Sequence, residues 1–500
     1  MMKLYLKFAI IILFVSACRS GIKGDKNSNK APRTFLTCDT INRSGSSRLS
    51  SQVRLQWWGD DADGYIASYK FSFDGISWVS TSKQDSIFNL QIPPGKDTFD
   101  FRFIIKAVDN MGLEDPIGAS LGVPVKNSAP TIDFITSSGS AGATTRNPVK
   151  TFPVLKYYWQ TNDPDGATDV DHIELYLNDT NNTPVNVSAN FNEITIVAKD
   201  PKQNTSDCNV LQGSIQTISA NVLKGLVLDA PNILYIRSVD KVGAKSLYKA
   251  SQNIFVKKVH GQVLLVNGML SSSGKITAQQ FYQDALKNMN ILYYDTLLSN
   301  DIQNNNYTEL APDNQTQALI FGLFPHIIWF TDDANTSLNF AKKTLPTFFT
   351  NNGTIFMSVA FNSSFDTTAN FLDFTPARQL VYMPQGQTYR LNNTSNVDPV
   401  GSGWPNLASN AAPFVCRPLY KADNNQNYNY DYIYNALINV SGSVNKAWQQ
   451  ADSTNVMAKR TKVSNNKTDF IITSVPLEKI NGNNNIQQFL DKALKGELGF

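Results

Sequence analysis

Leu55-Gln-Trp-Trp-Gly-Asp-Asp-Ala-Asp-Gly64 and Tyr157-Tyr-Trp-Gln-Thr-Asn-Asp-Pro-Asp-Gly166 follow one pattern, a Trp-bearing apolar run ending in Asp-x-Asp-Gly. Each is followed by an alternating run, Tyr69-Lys-Phe-Ser-Phe-Asp-Gly75 in one case and Ile173-Glu-Leu-Tyr-Leu-Asn-Asp179 in the other. Each closes on a second alternating run, Phe103-Ile-Ile-Lys-Ala-Val-Asp-Asn-Met-Gly112 or Leu234-Tyr-Ile-Arg-Ser-Val-Asp-Lys-Val-Gly243. Alternation with period two, broken at short intervals by turn residues, is the mark of antiparallel strands packed as a sandwich. The pattern occurs twice, so two sandwiches are expected, at 36–126 and 127–258, joined at Asn127-Ser-Ala-Pro130.

The repeat resembles fibronectin type III and related immunoglobulin-like domains of bacterial surface proteins. Trp57, Trp58 and Trp159 are expected in the cores between sheets. Asp61 with Asp63, and Asp163 with Asp165, raise a possible calcium site, because carboxylates two residues apart can share a hard cation. The competing reading is a β-turn in which Asp bonds its own backbone and Gly takes positive φ.

Upstream, Lys3 and Lys7 precede an apolar stretch, Phe8 to Val15, and then Val15-Ser-Ala-Cys18. A basic start, a short apolar run and small residues before a possible cut form a secretory signal, too short to span a hydrocarbon core of about 20 residues. Val-Ser-Ala-Cys resembles the bacterial lipobox. The resemblance implies a signal peptide at 1–17 and a lipidated Cys18 holding the chain to a membrane of the cell envelope, expected to be the outer one. Residues 18–35, rich in Lys, Asn, Ser and Gly, read as a tether.

Composition limits the partners. The chain has 44 basic and 41 acidic side chains and no long basic run, so nucleic acid is not expected as a partner. With Cys18 lipidated, Cys38, Cys208 and Cys416 remain, without the spacing of a disulfide framework or a zinc site.

Beyond His260 the rhythm changes. Val263-Leu-Leu-Val266 is a short continuous apolar run, as in a strand buried on both faces. Thr277-Ala-Gln-Gln280 reads as a capping box, with Tyr282, Ala285, Leu286 and Met289 on one helical face. Strands follow at Ile291–Tyr294, His326–Phe330, Thr354–Ser358 and Phe470–Thr473, with helices at Leu338–Phe349 and Ile486–Leu494. Alternating strands and helices predict, after the two all-β sandwiches, an α/β domain with a doubly wound parallel sheet over 259–500. An Asn- and Tyr-rich insertion at about 375–467 is expected to be irregular. The runs "HIIWFTDD", "NNGTIFMSVAF" and "DFIITSVPLEKING" resemble the class I glutamine amidotransferase-like, flavodoxin-like fold. That family's Gly-x-Cys-x-Gly elbow is missing at Met357–Asn362, so the resemblance implies the fold without the chemistry.

Candidate sites follow from this layout. Gly268-Met-Leu-Ser-Ser-Ser-Gly-Lys-Ile276 approaches a phosphate loop, but it is one residue too long and has Ile276 where Ser or Thr would hold magnesium. Asn267, Asp332, Asp333, Ser358 and Asn362 are placed at strand ends, where they could bind a polar ligand or cap helices. Tyr428, Tyr430, Tyr432 and Tyr434 alternate, so a strand would show four rings on one face, suited to sugars or to covering the domain. The three histidines, His172, His260 and His326, fall away from the carboxyl edge where ligands gather. No cofactor is expected apart from possible calcium. The expected function is non-catalytic binding or adhesion in the envelope, with glycan or another envelope protein as partner. The alternatives are glycan hydrolysis by strand-end carboxylates and a structural partnership in an envelope complex.

Overall fold

The computed structural model describes residues 28–38 and 49–500, apart from 51, 91, 94–95, 136–147, 165–167, 301, 304–305, 308, 363, 366–369, 384–385, 442–445 and 449–453. The expected signal, Cys18 and Asp165 lie outside the described residues. By contacts the chain divides into two compact units. One is 1–130 with 162–170 and 240–244; the other is 131–161, 171–239 and 245–500.

In the first unit, strands Arg33–Cys38, Gln52–Asp60 and Asp85–Asn89 form one antiparallel sheet. Leu49–Ser50, Ala119–Lys126, Thr98–Asp109, Ile66–Ser72 and Val79–Thr81 form a second. Their inward residues meet around Trp57, which is 1% exposed, with Leu55, Phe103, Ile105 and Val123. The Trp57 indole donates to the Lys83 carbonyl at 2.8 Å. Trp58, one residue on, points outward by the strand's alternation and stacks on Phe35 across the strand pair, 46% exposed. The expectation of a core Trp58 is corrected by the same period-two rule that buries Trp57.

Val-Asp-x-x-Gly has one structure in both places. Asp109 Oδ1 accepts the N–H groups of Met111 and Leu113 at 2.8 and 2.9 Å. Asp240 Oδ1 accepts those of Val242 and Ala244 at 3.0 and 2.7 Å. Gly112 and Gly243 sit at φ 87° and 94°, a conformation that favours glycine. The other carboxylate oxygen takes an amide from the preceding linker, Asn29 onto Asp109 and Asn127 onto Asp240, each at 2.5 Å.

In the second unit, Thr131–Ile135, Val154–Asn162, Glu193–Ala198, Thr205–Gln212 and Thr217–Ile218 make one sheet, with Leu223–Val227 also paired to Thr205–Gln212. Val185–Ser188, Val170–Leu177, Leu234–Asp240 and Lys249–Ala250 make another. Trp159 and Tyr157 are buried here, each 1% exposed.

The α/β doubly wound parallel-sheet domain expected at 259–500 is overturned by the strand pairing. The residues form a nine-stranded mixed sheet in the order Tyr294–Leu298, Val263–Gly268, His326–Thr331, Thr354–Val359, Thr468–Thr473, Asn455–Lys462, Tyr428–Ala436, Asn396–Pro399, Leu407–Ala408. The first five are joined by parallel pairs; every pair from Thr468–Thr473 onward is antiparallel. The segment expected to be an irregular insertion supplies the antiparallel strands and two smaller sheets. Over the described residues strands far outnumber helices.

Local differences have local causes. The first helix runs Ser272–Asn288, capped by the Ser271 hydroxyl accepting the Gly274 N–H. It therefore begins before the Thr277 capping box, and Ser272 to Lys275 form its first turn instead of a phosphate loop. The expected helix Leu338–Phe349 is two, Ala334–Thr344 and Pro346–Thr350, because Pro346 starts a helix well and continues one badly. The strand expected at Ile291–Tyr294 begins at Tyr294.

The second sandwich and the nine-stranded sheet share one core: Phe152, Val154 and Val259 pack with Ile320, Phe324 and Trp329. Beside it lies the buried Glu309 carboxylate, 2.5 Å from Lys150 Nζ and 3.4 Å from Lys257 Nζ. Lys257 also donates to the Thr296 carbonyl at 2.6 Å and stands 4.0 Å above the Phe152 ring. Removing one partner of a buried pair leaves the other charge uncompensated. Glu309→Gln is expected to cost about 3 kcal/mol, read from the urea midpoint of the full chain. A loss under about 1 kcal/mol, the surface value, would mean that Lys257 is served well enough by Thr296 alone.

Candidate functional site

The mixed sheet's antiparallel side builds a cavity of about 570 Å³ lined by Phe349, Phe374, Tyr428, Arg460, Asn427 and Gln426, among others. Arg460 is its keystone. Its guanidinium is bidentate to the buried Asp469 carboxylate, with Nε–Oδ1 at 2.7 Å and Nη2–Oδ2 at 3.1 Å. Nη1 donates to the Phe374 carbonyl at 3.0 Å. The guanidinium carbon lies 4.4 Å from the Phe349 ring centre and 4.5 Å from that of Tyr428. A planar cation between two aromatic faces fixes both rings. Gln426, Asn427, Thr350, Ser464 and Lys462 stand beside them, the Thr350 hydroxyl donating to the Thr347 carbonyl at 2.8 Å. A cavity of this size, with rings for contact area and a few polar groups for orientation, fits a small polar ligand.

The four tyrosines do not share a face. The register slips between Tyr432 and Tyr434, and Tyr434 enters the core on one side of the sheet while Tyr432 packs on the other. Tyr434 is fully buried and its hydroxyl donates to the Pro405 carbonyl at 2.7 Å. Tyr430 is also buried, with its ring 6.2 Å from that of Tyr428. The Tyr432 hydroxyl accepts the Lys421 N–H at 3.2 Å. Of the predicted tyrosines, Tyr428 alone lines the cavity. The sequence reading missed Phe349, Arg460 and Asp469. Arg460 and Asp469, nine residues apart on adjacent antiparallel strands, were visible only to a reading that made a hairpin of 455–473.

The strand-end residues hold local structure. Asn267 is buried and donates to the Lys275 carbonyl at 3.0 Å and Gln279 Oε1 at 3.1 Å. Asp332 accepts the Leu270 N–H at 2.6 Å. Asp333 caps the helix that starts at Ala334, accepting the Thr336 N–H at 3.3 Å. Ser358 is buried, 3.4 Å from the Val475 carbonyl. Asn362 accepts the Ser364 N–H at 3.1 Å. A carboxyl the sequence reading passed over, Glu478, stands after Thr468–Thr473, its pKa raised by burial and further by Asp332.

At the first Asp-x-Asp-Gly turn, Asp61 Oδ1 accepts the Asp63 N–H at 3.4 Å, and Asp63 Oδ2 accepts the Lys30 N–H at 3.1 Å. Burial, with the charges of Asp63 and Asp109 adding, raises the Asp61 carboxyl, and its Oδ2 has no hydrogen-bond partner. Asp163 is buried. Among the described residues no group of three or more His, Cys, Asp or Glu side chains is arranged to hold a metal ion. The Cys208 and Cys416 thiols are buried and pushed up to about 12, which leaves them unreactive near neutrality.

No family model and no curated protein matches the chain. Solved structures similar to it include the PKD1 domain of Vibrio anguillarum Epp, at 15% identity and TM-score 0.15, covering 20% of this chain and 98% of that one. The fibronectin(III)-like modules of Clostridium thermocellum CbhA match at 14% identity and TM-score 0.17, over 45% of this chain and 94% of that one. A structure titled for carbohydrate-binding modules of the β-sandwich superfamily matches at 12% identity and TM-score 0.17, over 46% and 86%. At these scores the likenesses carry no argument about activity.

The histidines are structural in their contacts. His260 Nδ1 is 2.9 Å from Asp295 Oδ1, and His172 Nδ1 is 2.8 Å from Asp171 Oδ2. His326 stacks on Phe500 with its Nδ1 2.8 Å from Thr354 Oγ1, and burial pulls its imidazole down from 6.5 to about 4. A histidine with a depressed folded pKa binds its proton more readily unfolded. Its contribution to stability is therefore complete above pH 6.5 and is lost as pH falls toward 4. The stability gap between wild type and His326→Gln should narrow from pH 7.5 to pH 4.5 in paired urea titrations. An unchanged gap would mean that the ring titrates alike in both states.

Proposed function

We propose that the chain is a lipid-anchored protein of the cell envelope, expected at the outer membrane, with a non-catalytic binding role, and that the cavity over Arg460 takes a carbohydrate. One observation carries the reading: the Arg460 guanidinium, locked to Asp469, holds Phe349 and Tyr428 in a cavity that Gln426 and Asn427 also line. Sugar rings present apolar C–H faces that stack on aromatic rings, and hydroxyls that pair with amides. The first sandwich then serves as a spacer between the anchor and the unit that binds.

On a glycan array the wild-type chain should bind one or more sugars without turnover. Tyr428→Ala should weaken that binding about 5- to 30-fold, equivalent to about 1–2 kcal/mol for a buried aromatic contact. Asn181→Ala, on an exposed turn of the second sandwich, should change nothing. Wild-type indifference to every glycan removes the carbohydrate reading. A second reading, hydrolysis by strand-end carboxylates, draws on the raised pKa of Glu478 with Asp332 near it; product release lost in Glu478→Gln would favour it.

The anchor is tested separately. Cys18→Ala should move the protein from the membrane fraction to the soluble one and abolish labelling by a fatty-acid analogue. Continued labelling would exclude Cys18 as the lipid site.

A further inference from the structure

A second cavity lies on the other side of the hairpin that carries Arg460. Asn455–Lys462 and Thr468–Thr473 pair antiparallel, and the turn between them, Val463 to Lys467, is exposed. Val463 and Ser464 line the cavity over Arg460, whereas Asn465, Asn466 and Lys467 line one of about 610 Å³ that reaches Glu497. Two features join the volumes. The Arg460–Asp469 pair runs from one to the other, with Arg460 in the wall of the first and Asp469 in the wall of the second. Lys462 lines both. Its ammonium donates to Asn352 Oδ1 at 3.1 Å, in the wall of the second cavity, and to the carbonyl of Phe349 at 3.4 Å, a residue in the wall of the first.

An ammonium has three N–H donors, and two of those of Lys462 are used. Asp469 Oδ2 stands 4.0 Å from Lys462 Nζ, beyond hydrogen-bond reach, and is taken by Arg460. The third N–H therefore has no acceptor among the described residues, at the boundary of two cavities. Each volume alone falls in the range of a whole small-molecule site, about 300–1,000 Å³, so a single sugar ring on Tyr428 leaves the second cavity empty. We propose that the two cavities are halves of one cleft and that its ligand is an oligosaccharide lying across Lys462. One sugar stacks on the rings held by Arg460, the next lies among Asn465, Asn466 and Lys467, and an oxygen between them accepts the remaining N–H of Lys462. The inference rests on the carbohydrate reading and extends it from a sugar to a chain of at least two.

The test is calorimetric titration of the full chain with glucose, mannose and N-acetylglucosamine, each as the single sugar and as its oligomers of two to six units. Wild type should bind the oligomers of at least one series about tenfold or more tightly than the single sugar. Gly496→Trp sets a ring at the second cavity without crowding the fold, since a Cβ there meets only Lys492 Cγ, at 3.8 Å. It should bring oligomer affinity down to that of the single sugar and leave the single sugar bound as in wild type. Lys467→Ala, at an exposed position, tests the same half even where Gly496→Trp does not fold. It should weaken oligomer binding about 3- to 10-fold, the effect of one lost hydrogen bond, and spare the single sugar. Two results overturn the inference alone: oligomers bound no more tightly than single sugars, or a gain with chain length that persists undiminished in Lys467→Ala and in folded Gly496→Trp. Wild-type silence toward all three series overturns it as well, and the carbohydrate reading falls with it only where the glycan array is also silent.

Discussion

The four strands Val263–Gly268, His326–Thr331, Thr354–Val359 and Thr468–Thr473 are buried over nearly their whole length, on both faces. A sheet in that condition needs cover on each side, and most of the second unit follows from how cover is found. On one face lie Tyr282, Ala285 and Leu286 of the first helix, Phe489 and Leu494 near the C-terminus, and Tyr389, Leu391 and Tyr434 from 375–467. On the other lie Leu338 and Phe348 together with Phe152 and Val154 from the second sandwich. The central strands therefore recruit both neighbouring stretches of chain. That is why 375–467 folds as sheet and why the second sandwich belongs to the same compact unit.

Burial this extensive makes each interior charge consequential, because a low-dielectric surround strengthens paired charges and penalises lone ones. Glu309 collects two lysines, Asp469 collects Arg460, and Glu174 collects Arg237 and Lys245, which hold its carboxyl down at about 2. The Cys208 and Cys416 thiols, by contrast, meet the environment by staying neutral.

What could be read from sequence was what is decided within a few residues. Val-Asp-x-x-Gly announces itself because one Asp oxygen bonds two N–H groups of its own turn and the Gly supplies the positive φ, so the motif survives wherever it is placed. The buried strands at Val263, His326, Thr354 and Phe470 were legible as apolar runs. The antiparallel strands were not, since Tyr428–Ala436 carries Asn429, Asp431 and Asn435 among its rings and a bulge after Tyr432 that no periodicity reports. Fold class failed at this point: alternation of helix and strand was visible, whereas the pairing that makes the sheet mixed is non-local. The helix start was misplaced for a related reason, since Ser271 and Thr277 both offer capping chemistry and only packing chooses between them.

The cavity over Arg460 gains its character from being built on the late, antiparallel side of the sheet. Its floor is an ion pair satisfied by its own members, the Arg460 fork on both Asp469 oxygens. The remaining lining residues are the aromatic Phe349, Phe374 and Tyr428, the polar Thr350, Gln426, Asn427 and Ser464, the apolar Pro346 and Val463, and Lys462, whose Nζ donates to Asn352 Oδ1 at 3.1 Å. Glu478, whose pKa burial raises, stands in the turn after Thr468–Thr473 and does not line the cavity. A pocket whose aromatic faces are fixed in advance by a paired guanidinium loses little freedom when a ligand arrives, so more of the contact energy is available for binding.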